Sequence, residues 1–216
     1  MSDLRETAVR WQRGWAVARS LPAAEEVEGG LRSFCRQPSR DVEYVALDTD
    51  PATLGALARR VEAERAVTWL TVPTGDAAGT GAALEAAGLV LLRGSEAMMA
   101  IDLREHPGRE PSAGYRVETV RAGGVVTATV FHESGEVAAR GTVGLSGTDA
   151  VADRIETVVA HRRRGLAGVV MGALVAESVA AGARHGLLIA SADGQRFYPT
   201  LGWRTVAHVL IATTPG

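Results

Sequence analysis

Apolar residues recur along the chain with two different periods, and the switches between them mark its elements. Between Asp3 and Arg19, Leu4, Ala8, Trp11, Trp15 and Ala18 fall on one stripe at helical spacing. That stripe makes Trp11 and Trp15 core side chains rather than an aromatic box for a ligand. Short apolar runs at SFC (33–35) and VEYVAL (42–47) read as strands. Asp50 as N-cap and Pro51 in first position open a second helix, DPATLGALARRVEAE. VTWLTV is a strand, AALEAAG a short helix stopped by Gly88, and LVLLRGSEAMMAID (89–102) an extended or hairpin segment. Pro, Gly and charge then cluster at REHPGREPSAG, residues 104–114, as in a linker. Beyond it, VVTATVFHESGEVAARGTVGL reads as two strands joined around Ser134 and Gly135. RIETVV (154–159) is a third strand and RRGLAGVVMGALVAESVAAG a long helix closed by Gly182. GLLIAS is a strand, QRFYPTLG a short helix ending at Gly202, and WRTVAHVLIAT a final strand.

The linker divides the chain into residues 1–103 and 115–216, and the two parts share an order: strand, long helix, strand, short helix ending in Gly, strand. VEYVAL corresponds to RIETVV, and LEAAGLVLLRGSEAMMAI to YPTLGWRTVAHVLI. A diverged internal duplication explains this, with coincidence as the alternative because short βαβ patterns recur widely. The copies differ where it matters chemically. The long helix of the second begins RRRGLAG, that of the first DPATLGA, and Asp50 at a helix N-terminus repels an anion. If the duplication holds, the first half has no cofactor site and serves as scaffold or acceptor wall.

Composition narrows the function classes. The chain has 216 residues, 46% hydrophobic and 22% charged, which suits a packed globular protein. A net charge of -2 gives no bulk attraction to polyanions, so nucleic acid is not expected as a partner. Every basic side chain other than histidine is Arg, as expected of a GC-rich coding sequence. Cys35 is the one cysteine and reads as a small core hydrophobe. Charges run through MSDLRETAVRWQRGW, and no stretch approaches 18 uncharged apolar residues, so neither a signal peptide nor a membrane span is expected, and the expected location is cytoplasmic.

The chemistry concentrates at HRRRGLAGVVMGAL (161–174). A strand running into RRRGLAG and a long helix gathers unpaired backbone N–H groups and the positive end of the helix dipole at one point, which makes an anion site. Gly165, Ala167 and Gly168 keep that turn free of bulky side chains. The spacing fits neither a Walker A loop nor the three-glycine dinucleotide fingerprint. Arginines at a helix N-terminus oppose the dipole unless an anion is present, which argues mildly for a bound phosphate, with a solvated charge at a helix start as the alternative for at least one of the three.

The stretch resembles the acetyl-CoA motif of the GNAT superfamily of N-acetyltransferases, Arg/Gln-x-x-Gly-x-Gly/Ala, through Arg162, Gly165 and Ala167. RIETVVAHRRRGLAGVVMGAL, GLLIAS and FYPTLGW resemble the family's fourth strand and helix, fifth strand and tyrosine-bearing turn, so the resemblance covers about residues 115–213. Val159 stands where the family often has proline, and Ser191 where many members have a cofactor-touching asparagine. The resemblance implies an α/β (α+β) protein: a mixed, mostly antiparallel sheet flanked by helices, with residues 1–103 as a degenerate half-repeat. It implies acetyl-CoA as cosubstrate, no metal, and direct attack on the thioester by a primary amine of a small molecule or peptide. Thr157, Val158 and Val159 would face the pantetheine arm, Val158 N–H the oxyanion, and Ser191 the cofactor. The amides of Arg163, Arg164, Gly165, Leu166, Ala167 and Gly168, with Arg162, would hold the pyrophosphate. Tyr198 matches the tyrosine that protonates the departing thiolate. Glu156 is the candidate base, with a surface pairing to Arg154 or Arg140 as the alternative; His132 and Glu133 are outside candidates, and His161 packs at the helix start. A noncatalytic acyl-CoA-binding module is the rival reading, and a homodimer is plausible.

Overall fold

The computed structural model describes residues 3–37, 39–92 and 96–215. Its elements in chain order are α1 (Leu4–Ala18), β1 (Glu25–Val27), β2 (Gly30–Gln37), β3 (Arg40–Ala46), α2 (Pro51–Ala63), β4 (Thr68–Thr74), α3 (Ala77–Ala86), β5 (Val90–Leu91), β6 (Glu96–Asp102), β7 (Tyr115–Ala122), β8 (Val125–His132), β9 (Val137–Ser146), β10 (Asp149–Thr157), α4 (Leu166–Ala180), β11 (His185–Ala190), α5 (Ala192–Phe197) and β12 (Arg204–Thr213). This is the expected α/β class, a mixed and mostly antiparallel sheet flanked by helices. Among the described residues, only β3–β4 and β10–β11 pair in parallel.

One sheet runs through both halves in the order β1-β2-β3-β4-β12-β6-β11-β10-β9-β8-β7, with β5 also on β12. Read inward from its ends, β3 and β4 mirror β10 and β11, but each half receives the other's last strand. The final strand β12 pairs with β4, and β6 pairs with β11. Residues 104–114 therefore join two segments whose strands interlock. The segment 89–102 does not form a hairpin, because β5 and β6 both pair with β12 rather than with each other; residues 93–95 of that segment lie outside the described residues.

Alternation along the strands divides the core between the two faces of the sheet. On one face α2 and α3 bury Leu54, Leu57 and Leu84 against Tyr44, Leu70 and Val72, while α4 buries Leu166, Val170 and Leu174 against Val126, Val130 and Ala139. Each such leucine, fully enclosed, contributes about 1.5–3 kcal/mol. On the other face α1 packs alone, its Ala8, Trp11 and Trp15 against Val45, Met98, Val151 and Val209. Although α1 opens the first half, it lies across β9 and β10 of the second. A Cβ on Gly144 would stand 2.0 Å from the Gly14 carbonyl oxygen, so helix and strand meet backbone to backbone. Two ion pairs fix the crossing at β10: Arg10 Nε to Asp149 at 2.9 Å, and Arg19 to both oxygens of Asp153 at 2.7 and 3.0 Å.

Candidate active site

β10 and β11 pair only where they begin, from Asp149–His185 to Val151–Leu187, and part beyond that point although both strands continue. On its other side β10 slips register against β9 between Asp153 and Glu156, with Arg154 at φ 54°. Such a bulge bends the strand and re-aims its side chains. The corresponding strands of the first half, β3 and β4, stay paired from Val42–Thr68 to Val45–Thr71. Only the second half opens.

The opening leads to the start of α4. After Thr157 the chain makes a 3-10 turn over Val159–His161, then passes through left-handed conformations at Arg163 (φ 63°) and Gly165 (φ 76°). Glycine carries this φ without penalty, whereas Arg163 holds it at a cost. The winding leaves the amides of Arg163, Arg164, Gly165, Leu166 and Ala167 without an acceptor among the described residues. The Gly168 amide, expected to join them, instead donates to the Gly165 carbonyl at 3.0 Å. Asp50 caps α2, the corresponding helix, by accepting from Ala52 and Thr53 at 3.0 Å each. The first half satisfies that helix end with its own carboxylate, as the sequence led one to expect.

The linker reaches this turn as well. Arg109 lies across α4, and a Cβ on Gly165 would come within 2.5 Å of its guanidinium and one on Gly172 within 3.1 Å of its amide. Small residues at the start of α4 thus seat the linker, a role the motif alone does not disclose. Arg162 donates to the Thr157 carbonyl at 3.2 Å. No carboxylate among the described residues pairs with Arg109, Arg162, Arg163 or Arg164. Four guanidinium groups near one helix N-terminus without a counter-ion make a strongly anion-attracting surface.

A cavity of about 1010 Å³ joins the opening to the α1 face. Thr157, Arg162, Arg163, Gly165, Leu166, Ala167, Ser191, Glu156 and Tyr198 line it, while Val158, Val159, Arg164 and Gly168 lie outside its wall. Val158 and Val159 have left the strand and are exposed, and the Val158 amide donates to Ala138 at 2.9 Å, so it is not free for an oxyanion. Glu156 is held at the surface by Arg140, its cross-strand neighbour, at 2.5 Å. The pairing alternative is the one observed, while Glu156 also lines the cavity. Ser191 caps α5 by accepting from Gly194 at 3.4 Å. His161 accepts or donates at Nδ1 with the Tyr115 hydroxyl at 3.0 Å, and His132 hydrogen-bonds Ser134 in its own hairpin turn.

Tyr198 packs its ring over Gly194, beside Phe197 and Trp203, and is 9% exposed. Burial, then the nearby Asp153 carboxylate, pushes its hydroxyl up to about 12. Cys35 is buried, and burial followed by Glu43 pushes its thiol up to about 11, which makes it inert. The far end of the cavity was not legible in the sequence: Trp11, Trp15, Arg40, Glu43, Trp69, Thr71 and Glu96 all contribute to it. Trp11 and Trp15 are core side chains, 4% and 3% exposed, and wall residues at once. Among the described residues no His, Cys, Asp and Glu group suited to a metal occurs, and no helix is long and apolar enough to cross a membrane.

No family model and no curated protein matches the chain. Solved structures do. A GCN5-related N-acetyltransferase from Kribbella flavida superposes with a TM-score of 0.76 at 15% identity, over 100% of this chain and 97% of that one. A tandem GNAT protein from the clavulanic acid biosynthesis pathway gives 0.62 at 12% identity, over 85% and 78%. One from Sphaerobacter thermophilus, also a GCN5-related N-acetyltransferase, gives 0.61 at 13% identity, over 85% and 76%. The chain has the fold of the GCN5-related N-acetyltransferases.

Proposed function

We propose that this chain transfers the acetyl group of acetyl-CoA to a primary amine of a small molecule or peptide. The observation that carries the reading is the parting of β10 and β11 beside an α4 N-terminus with five unpartnered amides, both opening into one cavity with Tyr198. Those amides and four uncompensated arginines fit a diphosphate: the amides of Arg163 to Ala167 would hold it, with Arg109, Arg162 and Arg163 around it. Ser191 and the β10 edge from Ala152 to Thr157 would lie along the pantetheine arm. When bound, acetyl-CoA supplies the thioester carbon that the amine attacks.

Tyr198 holds a proton at neutral pH, as a phenol does, burial raises its hydroxyl further, and it can give the proton to a leaving sulfur. A thiol titrates near 8.5 in water, so this assistance is worth a moderate factor rather than the whole rate. Cys35 takes no part. Isothermal titration with acetyl-CoA tests the reading. Wild type is expected to bind, and Ala167→Glu, which places a carboxylate beside the amides at a helical position that already carries a Cβ, to bind at least about thirtyfold more weakly while circular dichroism stays unchanged, a loss of about 2 kcal/mol. No heat with the wild type ends the proposal.

A further inference from the structure

Beyond the opening the cavity ends in a chamber built almost entirely by the first half of the chain. Its floor is the α1 face of β3, β4, β12 and β6, where register brings Glu43 beside Trp69, Thr71 beside Ile211, and Val209 beside Glu96. Glu43 is 1% exposed, ion-paired with Arg40 at 2.6 Å and hydrogen-bonded by the Thr71 hydroxyl at 2.6 Å. Arg40 lies 5.2 Å from the Trp15 ring and 4.7 Å from the Trp69 ring. It is 9% exposed, and its Nε finds no partner. That unmatched atom is a donor, so it offers a place to an acceptor atom of a ligand or to water and not to an ammonium group.

One carboxylate of the chamber has no cation paired with it. Asp153 on β10 takes Arg19 of α1 and, at 3.8 Å, Arg154, and Glu43 takes Arg40. Cys35 and Tyr198 are neutral at physiological pH. Glu96 is left with no ion pair or hydrogen bond among the described residues. Burial raises its carboxyl, Glu43 raises it further, and Arg40 opposes them. Its position is equally particular: Ala97 pairs with Ala190, the last residue of β11, so Glu96 stands beside the end of that strand, at the mouth of the opening. It reaches this place only because β6 has crossed into the second half's sheet.

We propose that Glu96 receives the ammonium group of the acceptor and takes a proton from it, and that the acceptor is a cationic amine whose apolar body lies along Trp15 and Trp69. The inference rests on the acetyl-transfer reading above. In the step, one N–H bond of R–NH3+ breaks and an O–H bond forms on Glu96. The nitrogen lone pair is freed, and the proton leaves Glu96 for solvent through the cavity mouth. An unpaired, partly buried carboxylate favours a cation over its neutral isostere.

Calorimetry and catalysis together test this. Phenethylamine, cadaverine and 2-phenylethanol are titrated into wild type, Glu96→Gln and Glu96→Asp, and acetyl-CoA into each protein as a control. Wild type is expected to bind phenethylamine at least about tenfold tighter than 2-phenylethanol, and tighter than cadaverine, which lacks the ring. Glu96→Gln should erase the preference for the charged probe, Glu96→Asp should keep part of it, and acetyl-CoA affinity should be the same in all three. Thiol release with phenethylamine should fall about a hundredfold in Glu96→Gln at pH 7 and recover toward pH 10, where the amine loses its proton unaided. Wild-type affinity for phenethylamine in Glu96→Gln, an unaltered pH profile, or no binding of either amine by a protein that binds acetyl-CoA would each overturn the assignment. Failure of the wild type to bind acetyl-CoA would overturn the transfer reading instead, and the charge preference would then be judged from the amine titrations alone.

Discussion

At Gly144 one hydrogen in place of a methyl group decides whether α1 can seat. The atoms a Cβ would strike, the Gly14 carbonyl oxygen at 2.0 Å and the Ala18 amide at 2.4 Å, are both backbone, so no side chain can rotate away. Gly144→Ala is expected to lift the helix and cost about 3 kcal/mol, seen as a melting point lower by about 6–12 °C. Gly75→Ala, with nothing within 4 Å of its Cβ, is the control and should melt like wild type. Tyr198→Phe removes only the proposed proton donor; turnover should fall about ten- to a hundredfold with acetyl-CoA affinity unchanged. Unaltered turnover would leave Tyr198 as packing. Sequence reveals some of these atoms and hides others for a physical reason. The turn before α4 announces itself because its arginines and small residues stand together within a few positions of the sequence. The close contact of Gly14 with Gly144, and the use of the Val158 amide by Ala138, depend on residues far apart or on hydrogen bonds that leave no mark on composition.

Elements were legible by type and less so by partner. Helical spacing and caps located α1, α2 and α4, because amphipathic stripes and Asp50 or Gly182 are local signals. Strand β7 escaped because it is an edge strand exposed along most of its length, without the alternation that burial imposes. The exchange of β6 and β12 escaped because alternation tells which face a strand buries and nothing of which neighbour it chooses. That exchange makes a strong demand. If the linker is cut between Pro111 and Ser112, the two fragments should stay associated through gel filtration without denaturant, since each sheet region contains a strand of the other. Separate elution of folded fragments would refute the pairing order. The same linker carries Arg109 onto α4, so Arg109→Ala should weaken acetyl-CoA binding by roughly tenfold, about 1.4 kcal/mol, and more at low salt than at high. Equal or tighter binding would mean that Arg109 shields the turn rather than serving it.

Taken whole, the molecule divides its labour between two halves of similar strand order. The second half opens its parallel strands and leaves a helix end uncapped. The first keeps its strands paired, caps its own helix with Asp50, and supplies most of the chamber's floor, so the halves make two unlike ends of one cavity. An unpaired carboxylate in that chamber has a consequence for the stability of the entire fold. The Glu96 carboxyl is raised in the folded chain, while in the unfolded chain it titrates near 4.3. Below that value both states hold the proton and Glu96 is indifferent. As pH rises from there through the folded value, the unfolded chain releases the proton first, so folding is progressively penalised. Glu96→Gln removes the penalty. Its melting point should match wild type at pH 4 and exceed it at pH 7 to 8, the pH range in which it is expected to lose activity. A variant that gains stability and loses turnover together would mark Glu96 as a residue kept for chemistry against the interest of the fold. Identical melting curves across the whole range would mean that the carboxylate is well solvated, and that the chamber carries no charge strain for an ammonium group to relieve.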